Sequence, residues 1–328
     1  MDEAITALAQ SIRTASWRTS ALINAVTSAR IAACVSALAL ALPALAAGAL
    51  SVEPGAYDRE ISKWRAGREA DLKADDGWLT LAGLFWLKEG TTSFGSDPSN
   101  GIVLPPGAAP AHAGVFTLTA GKVSVRVLDG VAVMCAGKPV TAMDLLSDNP
   151  GKPDVLSLGA LRMNVIRRGD RYGIRLKDGN SAQRKAFKGL RWFPVDPAAR
   201  VTAKFVPYDP PKEIDIPTVL GTTEKAKCPG YVVFRLNGQD LRLDPIQEDT
   251  DTGELFFIFR DATAGKETYP PGRFLYADAP KDGFVVLDFN KAHNPPCAYT
   301  TFATCPLPPP QNRLKVRIAA GELNDGSH

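Results

Sequence analysis

The hydrophobic positions change period once along the chain. Over 57–75, Ile61, Trp64, Arg68 and Leu72 recur at helical spacing while charged residues occupy the other faces, which predicts a helix. Gly67 weakens that helix, and Asp75-Asp76-Gly77 predicts its stop and a turn. The run 78–87 is dense in aromatic and aliphatic residues, Lys88-Glu89-Gly90 turns it, and 94–101 is a loop by its turn residues. From residue 115 onward the period becomes two. Val123, Val125 and Val127 alternate with Lys122, Ser124 and Arg126, placing the valines on one face of a strand. Ala120-Gly121 and Asp129-Gly130 punctuate a meander of short antiparallel strands. A hairpin is predicted over 161–178: Leu161, Met163 and Val165 alternate, Arg168-Gly169-Asp170 turns, and Tyr172, Ile174 and Leu176 alternate with Arg171, Gly173 and Arg175.

Further strands are predicted at 201–206, 214–219, 231–236 and 241–243, the last two joined by Asn237-Gly238, the signature of a type I′ turn. The apolar run 255–259 predicts a central strand, and 273–276, 284–289 and 314–318 complete the set. No helical periodicity of any length follows residue 75. The predicted fold is all-β, mostly antiparallel sandwich or barrel-like sheets with one N-terminal helix. Residues 47–328 read as a single β-rich domain, without a linker or an internal repeat.

Ahead of it, residues 1–29 read as an N-terminal extension from a mis-assigned start, and 30–46 as a signal peptide. The uncharged stretch 31–50 follows Arg30 and contains Pro43 and the small-residue site Ala44-Leu45-Ala46. The expectation is an exported protein, periplasmic or secreted, off the membrane once the signal is cleaved. The competing reading is an inner-membrane signal anchor, because the apolar run is just long enough to span a bilayer. The chain of 328 residues is 45% hydrophobic and 22% charged with a net charge of +3, the composition of an ordinary globular protein. No basic block points to nucleic acid.

The common catalytic and cofactor motifs are absent: no G-x-S-x-G, no phosphate loop, no G-x-G-x-x-G and no H-E-x-x-H. No cofactor is implied. Export would leave Cys135, Cys228, Cys297 and Cys305 in an oxidising compartment. Cys297 and Cys305 are the first choice for a disulfide; the alternative is that each is a small buried apolar residue. A metal reading would combine His293, Cys297 and Cys305 with an open fourth position, although an exported protein more often oxidises such a pair.

The densest chemistry lies in 288–314, which holds two cysteines, six prolines, three asparagines, a histidine and an arginine. With 260–273 it predicts a rim of loops at the ends of central strands, held by proline and a disulfide, as a preorganised site requires. Arg260 and Arg273 are candidates for an anion clamp, or else pair with Asp288, Glu267 or Glu322 to pin loops. Asp261, Glu267 and Asp288 are candidate catalytic carboxylates for glycoside hydrolysis, or ordinary salt-bridged acids. Asn290, Asn294 and Asn312 are candidate ligand contacts, or turn formers that cap their own backbone.

Three stretches, GWLTLAGLFWLKEGTTSFG at 77–95, FRDATAGKETYPPGRFLYAD at 259–278 and DFNKAHNPPCAYTTFATCPLPPPQNRLKVRIAAGE at 288–322, resemble the uncharacterised bacterial domain-of-unknown-function family 1684. The resemblance implies no activity, and it implies Tyr where this chain has His293. The functional expectation is an exported β-domain binding a small polar or anionic molecule at the rim. A carboxylate hydrolase at the same rim and an envelope-interaction protein without a pocket are the alternatives.

Overall fold

The structure, a computed structural model, describes residues 55–247 and 252–324. The expected extension and signal peptide lie outside the described residues, within which no helix is long and apolar enough to cross a membrane. Helix α1 (Ala56–Lys73) follows the predicted stripe: Ile61 and Leu72 are buried, and Trp64 and Arg68 are half-buried. The chain then doubles back so tightly that a Cβ at Gly77 would stand 2.4 Å from the Asp71 and Leu72 carbonyl oxygens. Only glycine fits there.

Two β layers follow. Strands Leu81–Trp86, Arg171–Asp178, Leu161–Arg168 and Val155–Leu158 run antiparallel in a six-stranded sheet. A five-stranded sheet contains Gly90–Gly95, Gly114–Thr119 and Lys122–Val127. The inward residues of both sheets share one core, in which Phe94, Phe116 and Val125 are grouped with Met163, Val165 and Ile174. This is a sandwich, one of the two arrangements that the period-two alternation allows.

The second half repeats the arrangement with different strands. Gln239–Leu243, Thr223–Leu236, Arg200–Pro217 and Phe284–Asp288 form a four-stranded sheet, and Leu255–Phe259 is central between Ile246–Gln247 and Arg273–Ala277. Their core contains Val232, Phe257, Phe259, Leu275, Leu287 and Phe289. A third cluster, with Leu81 of the first half beside Ile216, Phe256 and Phe274 of the second, joins the two. The fold is mostly antiparallel β, with no closed barrel.

Three local expectations are corrected. The strands expected at 201–206 and 214–219 are one strand, Arg200–Pro217. A register shift between Pro207 and Lys212 carries it past Pro210 and Pro211, which cannot donate to a ladder. A short helix α2 (Ala182–Ala186) is present, capped by Ser181, whose hydroxyl accepts the Arg184 N–H. Five residues are too few to show a helical period. Residues 314–318 form no strand, because the Ile318 N–H goes to the Asp261 carboxylate at 2.8 Å instead of a neighbouring backbone.

Candidate functional site

Two adjoining cavities open where α1 crosses the second half. The inner one, about 420 Å³, takes Arg68 from α1, Trp78 from the turn after it, and Arg168 and Arg175 from the hairpin Leu161–Asp178. The second half supplies Phe256, Phe274, Tyr276 and His293. The outer one, about 860 Å³, shares Arg68, Tyr276 and His293 and adds Trp64, Lys63, Arg200, Lys291 and the carboxylates of Glu60, Asp71, Glu254, Asp278 and Asp288. The inner cavity is lined by arginines and aromatic rings and by no carboxylate.

The charges of the inner cavity do not balance. Asp148 lies behind it and takes both Nη1 and Nη2 of Arg168 at 3.0 Å, while Arg168 Nε donates to Thr304 Oγ1 at 3.0 Å. Arg175 reaches the same carboxylate only at 3.8 Å. Its guanidinium lies 5.4 Å from the Trp78 ring centroid. Burial, followed by the like charge of Arg168, lowers the Arg175 pKa. Arg68 Nη2 donates to the Asn294 carbonyl at 2.9 Å. The Nε atoms of Arg68 and Arg175 are both buried without a hydrogen-bond partner. Arg168 and Arg175 thus share one nearby carboxylate, while the third guanidinium, Arg68, has the buried Glu322 carboxyl near it.

His293 is held as firmly as a strand residue. Its backbone exchanges both hydrogen bonds with Phe274, at 2.8 and 2.9 Å. Its ring is stacked with Tyr276 at 6.0 Å and lies 5.9 Å from Trp64. Nδ1 faces the Lys291 carbonyl at 3.1 Å. A carbonyl only accepts, so Nδ1 carries the proton and Nε2 presents a lone pair. Burial, then the charge of Arg68, pushes the His293 pKa down to about 3. The ring is therefore a neutral acceptor across the physiological range.

A buried network stands next to Arg68. The Tyr299 hydroxyl donates to Glu322 Oε1, and Asn294 donates its backbone N–H to Oε2 at 3.1 Å and Nδ2 to Oε1 at 2.9 Å. Arg68 lies 5.9 Å from the Tyr299 ring centroid. Despite these donors, burial raises the Glu322 pKa to about 7.

The rim residues singled out in the sequence take other parts. Arg273 is 1% exposed and pairs with Asp261, equally buried, at 3.2 Å. Arg273 also donates to the carbonyls of Ile318 and Ala320. The internal brace is therefore realised through Asp261, a partner that the sequence reading passed over. Arg260 is exposed and its Nε donates to the Pro270 carbonyl at 3.0 Å. Asn290 accepts the Asp196 N–H and donates to the Asp196 carbonyl. Asn312, 1% exposed, accepts the Asp244 N–H at 2.8 Å and donates to the Asp244 and Ile258 carbonyls. None of Arg260, Arg273, Asn290, Asn294 and Asn312 lines either cavity. Asn312→Ala is expected to lower the unfolding free energy by about 2–3 kcal/mol, since it strands three buried backbone groups; urea denaturation measures the loss.

The candidate carboxylates stand apart in their partners. Asp261 is locked to Arg273, Glu267 is bound by Arg317 at 2.6 and 2.9 Å on the surface, and Asp288 accepts the Tyr57 hydroxyl at 2.8 Å. Of the three, only Asp288 lines a cavity. Cys297 and Cys305 are free thiols, not bridged. Instead, the Cys297 N–H donates to Cys305 Sγ at 3.2 Å. Among the described residues no group of three His, Cys, Asp or Glu is placed to hold a metal ion, so His293, Cys297 and Cys305 do not form such a set.

Arg68, Arg168, Arg175 and Trp78 were not among the sequence candidates. Two signals marked them. Arg68 stands on the otherwise apolar stripe of α1. The hairpin Leu161–Asp178 also stacks several arginines without an acid among them until Asp170.

Residues 185–323 match the model of the family described as Protein of unknown function (DUF1684). No curated protein matches the chain. Among solved structures, an uncharacterized protein of Haloarcula marismortui is 34% identical, covering 44% of this chain and 82% of that one, with a TM-score of 0.38. The FHA-2 domain from a Mycobacterium tuberculosis ABC transporter is 22% identical, covering 27% of this chain and 77% of that one, with a TM-score of 0.21. Over residues 185–323, which include the strands and loops supplying Phe256, Phe274, Tyr276 and His293, the chain is similar to the DUF1684 family of proteins of unknown function.

Proposed function

We propose that this protein binds a small organic anion in the inner cavity, with a carboxylate or phosphate group against Arg68 and Arg175 and a planar apolar part among the aromatic rings. The observation that carries this reading is the uncompensated charge. Arg175 is buried, yet its nearest carboxylate lies 3.8 Å away and is already engaged by Arg168. Burying a cation without a close counter-charge costs several kcal/mol, and an anion entering the cavity offsets that cost. A guanidinium fork suits an oxyanion. The volume of about 420 Å³ lies in the range of small-molecule pockets. The neutral His293 adds an acceptor to a wall of donors, so the reading extends to anions with a hydroxyl or N–H beside the charged group.

The test is a thermal-shift and calorimetric survey of aromatic carboxylates and phosphate monoesters on the intact chain. At least one anion is expected to raise the melting temperature. Arg175→Met is expected to weaken its binding about 10- to 100-fold, the value of a buried charge-assisted hydrogen bond. Arg260→Met, on an exposed residue outside both cavities, is the control and is expected to leave binding unchanged. A survey in which no anion binds, or in which both variants bind equally, sinks the reading.

A further inference from the structure

Cys297 and Cys305 stand side by side, and Cys305 lines the wall of the inner cavity. Cys297 sits in the short turn Pro296–Ala298, and its carbonyl accepts the Tyr269 hydroxyl at 3.0 Å. Cys305 lines the inner cavity, and its carbonyl accepts the Val219 N–H at 3.0 Å. Both ends of the intervening segment are therefore held from outside it. The Cys297 N–H donates to Cys305 Sγ at 3.2 Å, and each thiol is the largest influence on the other's pKa. The environments differ: Cys297 is half-buried and Cys305 is buried.

We propose that Cys297 and Cys305 are the reduced form of a reversible dithiol–disulfide site, in which Cys297 attacks a small or protein disulfide and Cys305 resolves the adduct. The Cys297 thiolate bonds to one sulfur of the oxidant and expels the other as a thiolate. Cys305 then gives up its proton and attacks the Cys297 sulfur, expelling the second oxidant thiolate. The protein loses two protons and two electrons, and one oxidant disulfide becomes two thiols.

The roles follow from the surroundings. A hydrogen bond from Cys305 lowers the Cys297 pKa, and the thiolate is the nucleophile. The same hydrogen bond, followed by burial, raises Cys305. Once Cys297 is in a mixed disulfide that hydrogen-bonded thiolate is gone, and the main restraint on Cys305 ionising goes with it. The segment that the bond would close carries Tyr299, which donates to Glu322, and Thr304, which accepts from Arg168. Oxidation thus tethers two groups that position the inner cavity. This inference does not depend on which ligand the cavity takes, or on whether it takes one.

The experiment reduces the full chain, exposes it to oxidised glutathione, unfolds it in denaturant, alkylates it with iodoacetamide and maps the peptides by mass. A Cys297–Cys305 cross-link two hydrogens lighter is expected, with Cys135 and Cys228 alkylated. Cys305→Ser is expected to accumulate glutathione on Cys297, and Cys297→Ser is expected to resist modification at Cys305. Closing so short a loop is expected to raise the melting temperature by roughly 5 °C, a rise absent from the double serine variant. Full alkylation of both cysteines after oxidation overturns the proposal. So does a stable glutathione adduct in the unsubstituted chain, or an equal rise in the double variant.

Discussion

Arg273→Met is expected to lower the free energy of unfolding by about 3–5 kcal/mol, the usual cost of breaking a buried ion pair from one side. Arg273 and Asp261 are both 1% exposed, and their contact at 3.2 Å has no access to water. Methionine would fill much of the volume but leave the Ile318 and Ala320 carbonyls without a donor. Asp261 would keep the Thr263 hydroxyl at 2.7 Å and the Ile318 N–H at 2.8 Å, but lose its counter-charge. The double variant Arg273→Met with Asp261→Asn removes both charges and is expected to be less destabilised than the sum of the single changes. Urea denaturation of the three variants measures the coupling. A single-variant loss below about 1 kcal/mol, set against the expected cost of breaking such a pair, would mean that the pair is not what braces the 260–273 loop.

Glu322 is expected to make stability depend on pH in the direction opposite to that of an ordinary salt-bridged acid. Its folded pKa of about 7 lies above the ordinary carboxylate value of 4.5. Below pH 4.5 the carboxyl is protonated in both states. As the pH rises through the window from 4.5 to 7, the unfolded chain loses the proton first, so stability falls. The loss is about 3 kcal/mol once the pH exceeds the folded pKa. His293 works the other way: its pKa of about 3 lies below 6.5, so stability is lost as the pH drops below 6.5. Between pH 4.5 and 6.5 the two slopes oppose each other. Glu322→Gln removes one of them. The stability of the variant relative to the unsubstituted chain is expected to rise by about 3 kcal/mol between pH 4.5 and pH 8. Denaturation curves at intervals across that range report the difference. A difference that does not change with pH would show that Glu322 titrates normally.

Much of the β-structure was legible because it follows from short-range rules. Val123, Val125 and Val127 are all buried, as their alternation requires. The predicted hairpin Leu161–Asp178 forms, its strands pairing about Gly169 and Asp170 so that Val165 faces Ile174. Asn237 and Gly238 both have positive φ, at 52° and 76°, as a type I′ turn demands. Leu255–Phe259 is central and all five of its residues are buried. One miss was a place where a side chain replaced a backbone partner. The Asp261 carboxylate took the Ile318 N–H, and a strand expected at 314–318 did not form. No local pattern announces such a substitution, because the two residues are far apart in the chain.

The site was less legible, and the reason is electrostatic. In the sequence Arg273 and Arg175 are both arginines in predicted strands. In the structure one is matched by a carboxylate at 3.2 Å and serves as a brace, while the other reaches only a shared carboxylate at 3.8 Å and faces a cavity. The period of the apolar positions and the chemistry of the turns determined, without any structure, that this chain folds as antiparallel sheets with one helix in front. Those signals reside in neighbouring residues, where sterics and backbone hydrogen bonding act. Only the tertiary structure decided which charges are compensated, which thiols meet and which ring faces which arginine. Those outcomes depend on burial and on distances between α1, the first hairpin and the C-terminal loops, none of which neighbouring residues encode.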